Sequence, residues 1–381
     1  MGIAFERLAE NTFVARGPTN IGLSICALDD VPGESMLAEG VPIEAQSKKT
    51  ASHGRIGPRQ SNPSAFLIDS GGDADAGRRI LRECERLGVN LAGIINTHSN
   101  ADHCGGNAFL QARTGCAVCA TEIEAAFLGH PLLETSFLAG GYPQKALKNK
   151  FLMAPVSQAT HILRPPCALS LDSEGQIQMR AFSENQMQKK TLSEGAFSGE
   201  PSPRAEPESQ SEPQSECRIV SLPGHYFGMV GVMTPDRVFF VADALAGKPI
   251  LEKYHIFFFY DLAAELETLA MLETIEADWF VPSHAEPTQD IRPLVELNRR
   301  KIEEIADVIV GLCTDGQIAQ ESGGLSLEDI VAGVCAHYGI SLDDNQHVLV
   351  GSTIRSYLSW LSDQGRVEYS FIDGRMMFKG K

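Results

Sequence analysis

The sequence predicts an α+β fold with one large domain and a small C-terminal domain. The chain has 381 residues, which is more than one average domain, and its hydrophobic content of 43% suits a substantial core. Short apolar runs typical of buried strands alternate with segments of helical period. After residue 325 the pattern changes to two helical segments and an Asp-Gly hairpin, which together suggest a winged-helix-like unit.

The first half of the chain contains candidate strands and two candidate helices. Residues 11–28 predict two short strands around a Gly-Pro-Thr-Asn turn, and AFLIDSGG predicts a buried strand that ends at Asp69. The helical period of residues 74–88 predicts a helix. LAGIINT, residues 91–97, is an almost unbroken apolar run, as expected for a strand covered on both faces. A further helix is predicted over 107–113.

The second half repeats this pattern after a break. RIVSLPGH, MVGVMT, RVFFVADALAG and DWFVPSH predict strands, and residues 262–275 and 293–312 predict helices. Two polar stretches, about 41–64 and 183–216, are predicted to be insertions. The second is rich in Pro, Ser and Glu and should be disordered, because it has too few apolar side chains to offset the entropy of ordering.

These boundaries divide the chain into a large domain over 1–300, a linker helix over 301–324 and the winged-helix-like domain over 325–381. Winged-helix domains often bind DNA through the second helix, and here that helix has Arg355 as its only basic residue. Residues 327–381 contain seven acidic and five basic side chains, whereas a phosphate-binding face should be basic. We therefore expect this domain to pack against the large domain or to form a homodimer.

Charge and composition exclude several classes of function. The net charge of −17 disfavours nucleic acid as a partner. The sequence contains no secretory signal pattern and no run of 18 apolar residues, so no membrane association is expected. Nine cysteines with irregular spacing predict reduced thiols and a cytoplasmic location.

The stretch NTHSNADHCGG, residues 96–106, carries the clearest chemical signal. His98, Asp102 and His103 follow a buried strand, and imidazole and carboxylate are the usual protein ligands of zinc and iron. Gly105 and Gly106 would allow a tight bend and close helix packing. The alternative is that His98 and Asp102 only cap a strand and a helix.

Three more ligand-type residues follow predicted strands further along the chain. RIVSLPGH ends at His225, VFFVAD ends at Asp243 and WFVPSH ends at His284. One histidine after a strand is ordinary, but four such strand ends in one chain favour a shared site. In open α/β sheets, the carboxyl ends of strands gather on one edge, where ligands and metals bind.

These motifs resemble those of the metallo-β-lactamase superfamily. THSNADHCGG is similar to the T-H-x-H-x-D-H-x-G-G signature, and LIDSG, LPGH, VADALAG and PSHAEP are similar to other motifs of that family in the right order. The resemblance covers about residues 8–290 and implies an αββα sandwich with a dinuclear metal site. It implies one metal site formed by His98, position 100 and His225, and a second formed by Asp102, His103 and His284, with Asp243 bridging both.

Position 100 departs from the family pattern because Asn100 replaces the usual second histidine. An amide oxygen is a poorer zinc ligand than imidazole, so we expect one tight site and one weak, variable or empty site. Zinc is the expected metal, with iron or manganese as alternatives that Asn100 could favour. Asp69 and Glu286 are predicted to support the ligands from outside the site.

The resemblance implies a hydrolase that uses metal-bound hydroxide on a small ester, thioester, lactone or lactam. Asp102 would orient the nucleophile, and His98 or His225 could act as a base if the first site is empty. Three alternatives stay open: an iron member of the superfamily in redox or dioxygen chemistry, a nucleic-acid processing or regulatory protein, and an inactive relative.

Overall fold

The structure is a computed structural model that describes residues 3–26, 62–182, 216–315 and 323–381. Most of both predicted insertions lies outside these ranges. The last residue of each predicted insertion lies within the described ranges and belongs to the folded structure. Ser64 is already the first residue of a strand, and Glu216 is buried beside Arg180, with which it forms an ion pair.

Two mixed sheets form the centre of the molecule. The first sheet has seven strands in the order β1-β2-β3-β4-β5-β6-β7. Its first four strands are antiparallel, and β4 to β7 are parallel. The strands are β1 (Phe5–Arg7), β2 (Thr12–Ala15), β3 (Ile21–Cys26), β4 (Ser64–Ile68), β5 (Asn90–Ile95), β6 (Ala117–Thr121) and β7 (His161–Leu163).

The second sheet has six strands in the order β13-β12-β11-β10-β8-β9. Only β12 and β13 are parallel. The strands are β8 (Cys167–Leu171), β9 (Ile177–Ala181), β10 (Cys217–Ser221), β11 (Val230–Met233), β12 (Val238–Ala246) and β13 (Trp279–His284).

Ten α-helices are present within the described residues. They are α1 (Ala74–Leu87), α2 (Ala101–Cys104), α3 (Asn107–Thr114), α4 (Glu122–Gly129), α5 (Leu132–Ala139), α6 (Lys248–Tyr254), α7 (Leu262–Leu272), α8 (Arg292–Asp315), α9 (Leu327–Tyr338) and α10 (Asp344–Asp363). None of these helices is long and apolar enough to cross a lipid bilayer.

The buried side chains form layers that follow from the period of a strand. On β4, Ala65 and Leu67 face a core shared with α1 and α3, while Phe66 and Ile68 face the second sheet. A third core lies between the second sheet and α7 to α10. Because alternate residues of a strand point to opposite faces, both sheets are covered on both sides. The layer order is therefore α, β, β, α, as predicted.

The C-terminal segment contains the predicted helix, helix and hairpin, and it packs against the large domain. The hairpin consists of β14 (Val367–Ile372) and β15 (Arg375–Gly380). Ile330 and Tyr357 belong to the same core as Leu269 and Ile302. Ser356 Oγ donates to the carbonyl oxygen of Tyr260, 2.9 Å away. The division at 300 and 324 and the winged-helix assignment stay predictions.

Candidate metal centre

The turn after β5 brings three ligand-type side chains to one edge of the sandwich. His98 lies three residues beyond β5, and Asp102 and His103 lie on the single turn of α2. Gly105 and Gly106 have ordinary negative φ, so the predicted need for a special bend is wrong. They are required for close packing, because a Cβ at Gly105 would lie 2.3 Å from the backbone of Gly72.

The second sheet supplies the other three side chains. His225 follows β10, and His284 is the last residue of β13. Asp243 was predicted to end its strand, but β12 continues through it to Ala246. The pairing of β12 with β13 shifts register at Ala242, whose φ is +50°. This irregularity, rather than a strand end, turns the Asp243 carboxylate toward the histidines.

Each of the four histidines has its Nδ1 atom occupied by a polar partner. The partner of His98 is Thr97 Oγ1 at 3.1 Å, that of His103 is Asp69 Oδ2 at 2.8 Å, that of His225 is the Phe258 carbonyl at 2.8 Å, and that of His284 is the Pro18 carbonyl at 2.7 Å. Thr97 Oγ1 donates to Asp69, so it accepts from His98. This hydrogen-bond network assigns a proton to Nδ1 in all four rings and directs the four Nε2 atoms to the centre, where they could bind a cation.

The four Nε2 atoms surround the Asp243 carboxylate in two groups. In the first group, Asp243 Oδ2 lies 3.9 Å from His98 and 3.6 Å from His225. In the second, His103 and His284 lie 3.2 and 3.1 Å from Asp243 oxygens, and each lies 3.5 Å from Asp102 Oδ2. A tetrahedral site with bonds of about 2.1 Å has ligand atoms about 3.4 Å apart. Both groups fit such a site.

The polar atoms of this centre lack partners that a cation would supply. His98 Nε2, His103 Nε2 and Asp243 Oδ1 are buried and make no hydrogen bond within the described residues. Buried polar atoms are usually paired, because an unpaired one costs roughly 1–3 kcal/mol. The donor set of imidazoles and carboxylates matches zinc, iron or manganese. The residues therefore fit a metal centre.

The protonation of the histidines reflects their distance from the carboxylates. Burial lowers the pKa of His98 well below its usual value and also lowers the pKa of His225. Burial would do the same to His103 and His284, but Asp243 and Asp102 override it. The pKa of His103 is therefore well above its usual range, and that of His284 rises to about 9. The same histidines hold the pKa of Asp243 well below its usual value, against the effect of burial.

Asn100 lies at the edge of the first group. Its Oδ1 is 3.2 Å from His225 Nε2, and its Nδ2 donates to Glu134 Oε1 at 2.7 Å. The amide oxygen of Asn100 therefore faces His225, one of the two histidines of the first group.

The two predicted supporting carboxylates differ in outcome. Asp69 is buried and accepts hydrogen bonds from His103 Nδ1, the Thr97 amide and the Thr97 hydroxyl. Glu286 instead pairs with Arg16 on the surface, where 81% of its side chain is exposed. The structure does not bring Glu286 to the histidines, because its side chain extends into solvent toward Arg16. The prediction for Glu286 is therefore wrong, and this residue is a solvated loop charge.

Several contacts at the centre come from residues that the sequence did not single out. Thr19 Oγ1 donates to Asp102 Oδ2 at 2.6 Å, and Asn20 donates to two carbonyls that flank His284. The buried Glu124 accepts from the backbone amides of Ser99 and Gly228 and so connects the two loops that carry the candidate ligands His98 and His225. Glu134 holds Asn100. The available signal was the position of Glu124 and Glu134 among apolar residues of α4 and α5, where buried carboxylates need partners.

Comparisons with known proteins agree with this geometry. Residues 60–181 match the family model described as the metallo-beta-lactamase superfamily. No curated protein matches the chain in sequence. A beta-lactamase domain protein from Burkholderia ambifaria has a similar structure, with a TM-score of 0.62, 14% identity and coverage of 99% of this chain and 94% of that one.

A metallo-beta-lactamase family protein from Thermus thermophilus is similar with a TM-score of 0.60 and 16% identity, covering 98% of this chain and all of that one. At these identities the likeness shows the fold alone. Both proteins match over nearly the full length, including the C-terminal segment. Together, these comparisons show a metallo-beta-lactamase family match over residues 60–181 and a metallo-β-lactamase fold for the chain.

Proposed function

We propose that this protein is a metal-dependent hydrolase that acts on a small ester, thioester, lactone or lactam. One observation carries the proposal: four histidines with Nδ1 occupied present their Nε2 atoms to a single buried aspartate. Such an arrangement is costly for a purely structural purpose, because it leaves buried polar atoms unpaired. It is suited to binding a cation.

Two sets of residues would hold metal. Asp102, His103, His284 and Asp243 form the set with two carboxylates, and His98, His225 and Asp243 form the set that Asn100 adjoins. Zinc is the metal we propose for the tight site. A bound divalent metal would lower the pKa of water toward neutrality and polarise a carbonyl oxygen.

Asp102 marks the side from which a substrate would approach. Its side chain is 46% exposed, whereas those of His98, His103, His225 and Asp243 are almost completely buried. The hydrogen bond from Thr19 fixes one orientation of the carboxylate. We therefore propose that Asp102 orients the attacking nucleophile while it contributes to the tight site. His98 and His225 are less suited to act as bases, because both are buried and their Nε2 atoms point inward.

An aromatic side chain next to the centre supports a neutral, partly apolar substrate. The ring of Phe257 lies 5.2 Å from that of His225 and 6.4 Å from that of His284, and it is only half-buried. A half-buried ring at this place could pack against the acyl or ring portion of a substrate. This favours carbonyl compounds of low charge.

We propose that the C-terminal segment stabilises a loop next to the site. It contacts the loop over residues 255–261 through Ser356, and this loop also carries Phe258, whose carbonyl oxygen accepts from His225. We propose this role in place of nucleic-acid binding, and a homodimer through the same segment stays an alternative. The nine cysteines are all free and buried, which supports the proposed cytoplasmic location.

The test is a substrate panel with chelated and metal-restored protein. Aryl esters, thioesters, lactones and a chromogenic lactam would each be incubated with protein that holds zinc, iron or manganese. We expect hydrolysis of at least one class, its loss on chelation, and its loss in the Asp243→Asn variant. The exposed Asp278→Asn variant is the matched control, because its carboxylate only pairs with Arg237 at the surface.

The panel also separates the proposal from its alternatives. Visible iron absorption without hydrolysis of any class would favour the redox member of the superfamily. Salt-dependent oligonucleotide binding without hydrolysis would favour the nucleic-acid protein. Either result would overturn the proposed hydrolase.

A further inference from the structure

Asn100 is held in one orientation by a buried glutamate. Its Nδ2 donates to Glu134 Oε1 at 2.7 Å, and Glu134 is only 5% exposed. Glu134 lies on α5, thirty-four positions further along the chain. An amide has one donor side and one acceptor side, so a hydrogen bond on the nitrogen determines where the oxygen points. Here Oδ1 points at His225.

The contact between Asn100 and His225 is unusual for a metal-free pair. His225 Nδ1 donates to the Phe258 carbonyl, so Nε2 of the neutral ring presents a lone pair. Asn100 Oδ1 is also an acceptor, and it lies 3.2 Å from that lone pair. Two acceptors at this distance repel each other unless a proton or a cation lies between them. The pair is therefore arranged for a shared cation rather than for a direct hydrogen bond.

The neighbouring atoms complete a four-atom set. Asp243 Oδ2 is 3.6 Å from His225 Nε2 and 3.9 Å from His98 Nε2. With the 3.2 Å separation of Asn100, these distances bracket the spacing of about 3.4 Å expected around a tetrahedral divalent metal. Asn100 thus replaces the missing histidine with an oxygen donor instead of deleting a ligand.

We propose that Asn100 Oδ1 is a ligand of a second divalent cation, together with His98, His225 and Asp243, and that Glu134 is the positioning residue that makes this oxygen available. The inference rests on the proposed metal centre and adds a ligand atom and a positioning residue that the family pattern does not contain. Two nitrogen and two oxygen donors should bind zinc more weakly than a set with three imidazoles, and should discriminate less against harder cations.

The experiment titrates metal-free full-length protein with Co²⁺ alone and follows visible absorption, with calorimetry on Zn²⁺ as a second readout. The first equivalent reports the site of Asp102, His103 and His284, and the second equivalent reports the site with Asn100. The variants are Glu134→Leu, Glu134→Gln, Asn100→Leu and the Asn100→Leu/Glu134→Leu double variant. Thr135→Val is the matched control, because Thr135 is the buried neighbour of Glu134 and its hydroxyl makes no hydrogen bond to any residue that the structure describes.

We expect Glu134→Leu and Asn100→Leu each to weaken the second equivalent by about 10–100-fold, with the first equivalent unchanged. The double variant should be no weaker than the single ones, because Glu134 acts through Asn100. Glu134→Gln should bind within a few-fold of the natural protein, because its amide oxygen can still accept from Asn100 Nδ2. The Thr135→Val control should bind both equivalents normally.

Two results would overturn the inference. One is a second equivalent that is indifferent to Glu134→Leu. The other is a Glu134→Leu effect that adds to that of Asn100→Leu. If Glu134→Leu does not fold, Asn100→Leu alone decides, since it must weaken the second equivalent. Failure of the proposed metal centre is distinguishable, because the natural protein would then bind no Co²⁺ at the first equivalent either.

Discussion

Replacing Asp69 by asparagine should weaken metal binding without unfolding the protein. Asp69 Oδ2 accepts from His103 Nδ1 and from the Thr97 hydroxyl, both at 2.8 Å, while Oδ1 accepts from the Thr97 amide at 2.9 Å. Asparagine keeps one acceptor for the Thr97 amide but places an NH₂ group opposite the other two donors. The backbone φ at position 69 is +61°, which asparagine tolerates, so the substitution adds little backbone strain.

The main consequence falls on the tautomer of His103. With a donor facing it, the ring would move its proton from Nδ1 to Nε2, which removes the lone pair that points at Asp243 and Asp102. Loss of such a supporting contact typically lowers metal affinity about 10–100-fold, or roughly 1.4–2.7 kcal/mol. The remaining mismatch with the buried Thr97 hydroxyl should cost the fold about 1–3 kcal/mol.

The assay is competition for Zn²⁺ against a chelating dye at neutral pH, with urea unfolding of the same preparations. The first equivalent should weaken in Asp69→Asn and stay normal in the surface variant Asp278→Asn. If folded Asp69→Asn binds the first equivalent as tightly as the natural protein, His103 is not oriented for metal by Asp69, and the reasoning fails.

Three further predictions concern stability. In chelated protein, the pKa of His284 is raised from 6.5 to about 9, so protonated His284 contributes roughly 3 kcal/mol to the free energy of unfolding below pH 6.5. This contribution is lost as the pH rises through 9. Urea unfolding at pH 6.5 and 9 should show the decrease, and constant stability would contradict it. Gly105→Ala should destabilise by at least about 1–3 kcal/mol because its Cβ meets Gly72, whereas Gly129→Ala, whose nearest atom lies 3.9 Å away, should be neutral or mildly stabilising in the same assay. Ile330→Ala should cost about 2–5 kcal/mol and lower one common thermal transition, because Ile330 shares a core with the large domain; two separate transitions, with only one lowered, would show that the C-terminal segment unfolds independently.

The clustering of the candidate ligand side chains could be predicted because strand periodicity and strand ends carry the information. Apolar runs such as LAGIINT identify buried strands, and the polar residues after them must emerge at a sheet edge. His98, Asp102, His103, His225 and His284 all follow this logic. The prediction that Asp243 ends its strand is wrong, although the residue does lie at the centre. A register shift inside β12 directs its carboxylate toward the histidines, and no sequence pattern marks that shift.

The supporting residues could not be predicted in the same way. Glu124 and Glu134 lie on helices whose period gives the buried face but not which loop packs against it. Thr19 belongs to the predicted Gly-Pro-Thr-Asn turn, but the sequence pattern of a turn does not show what the turn contacts. Its contact with Asp102 spans 83 positions of sequence. Glu286 was placed near the site because it is two residues from His284, but sequence proximity does not determine where a loop turns.

Anomalous diffraction at metal absorption edges, on crystals of protein purified without added metal or chelator, would test the central claim most directly. A peak about 2 Å from His103 Nε2, His284 Nε2 and an Asp243 oxygen is expected, with weaker density beside His98, His225 and Asn100. Absence of any peak among these side chains, in protein that carries metal elsewhere, would contradict the account.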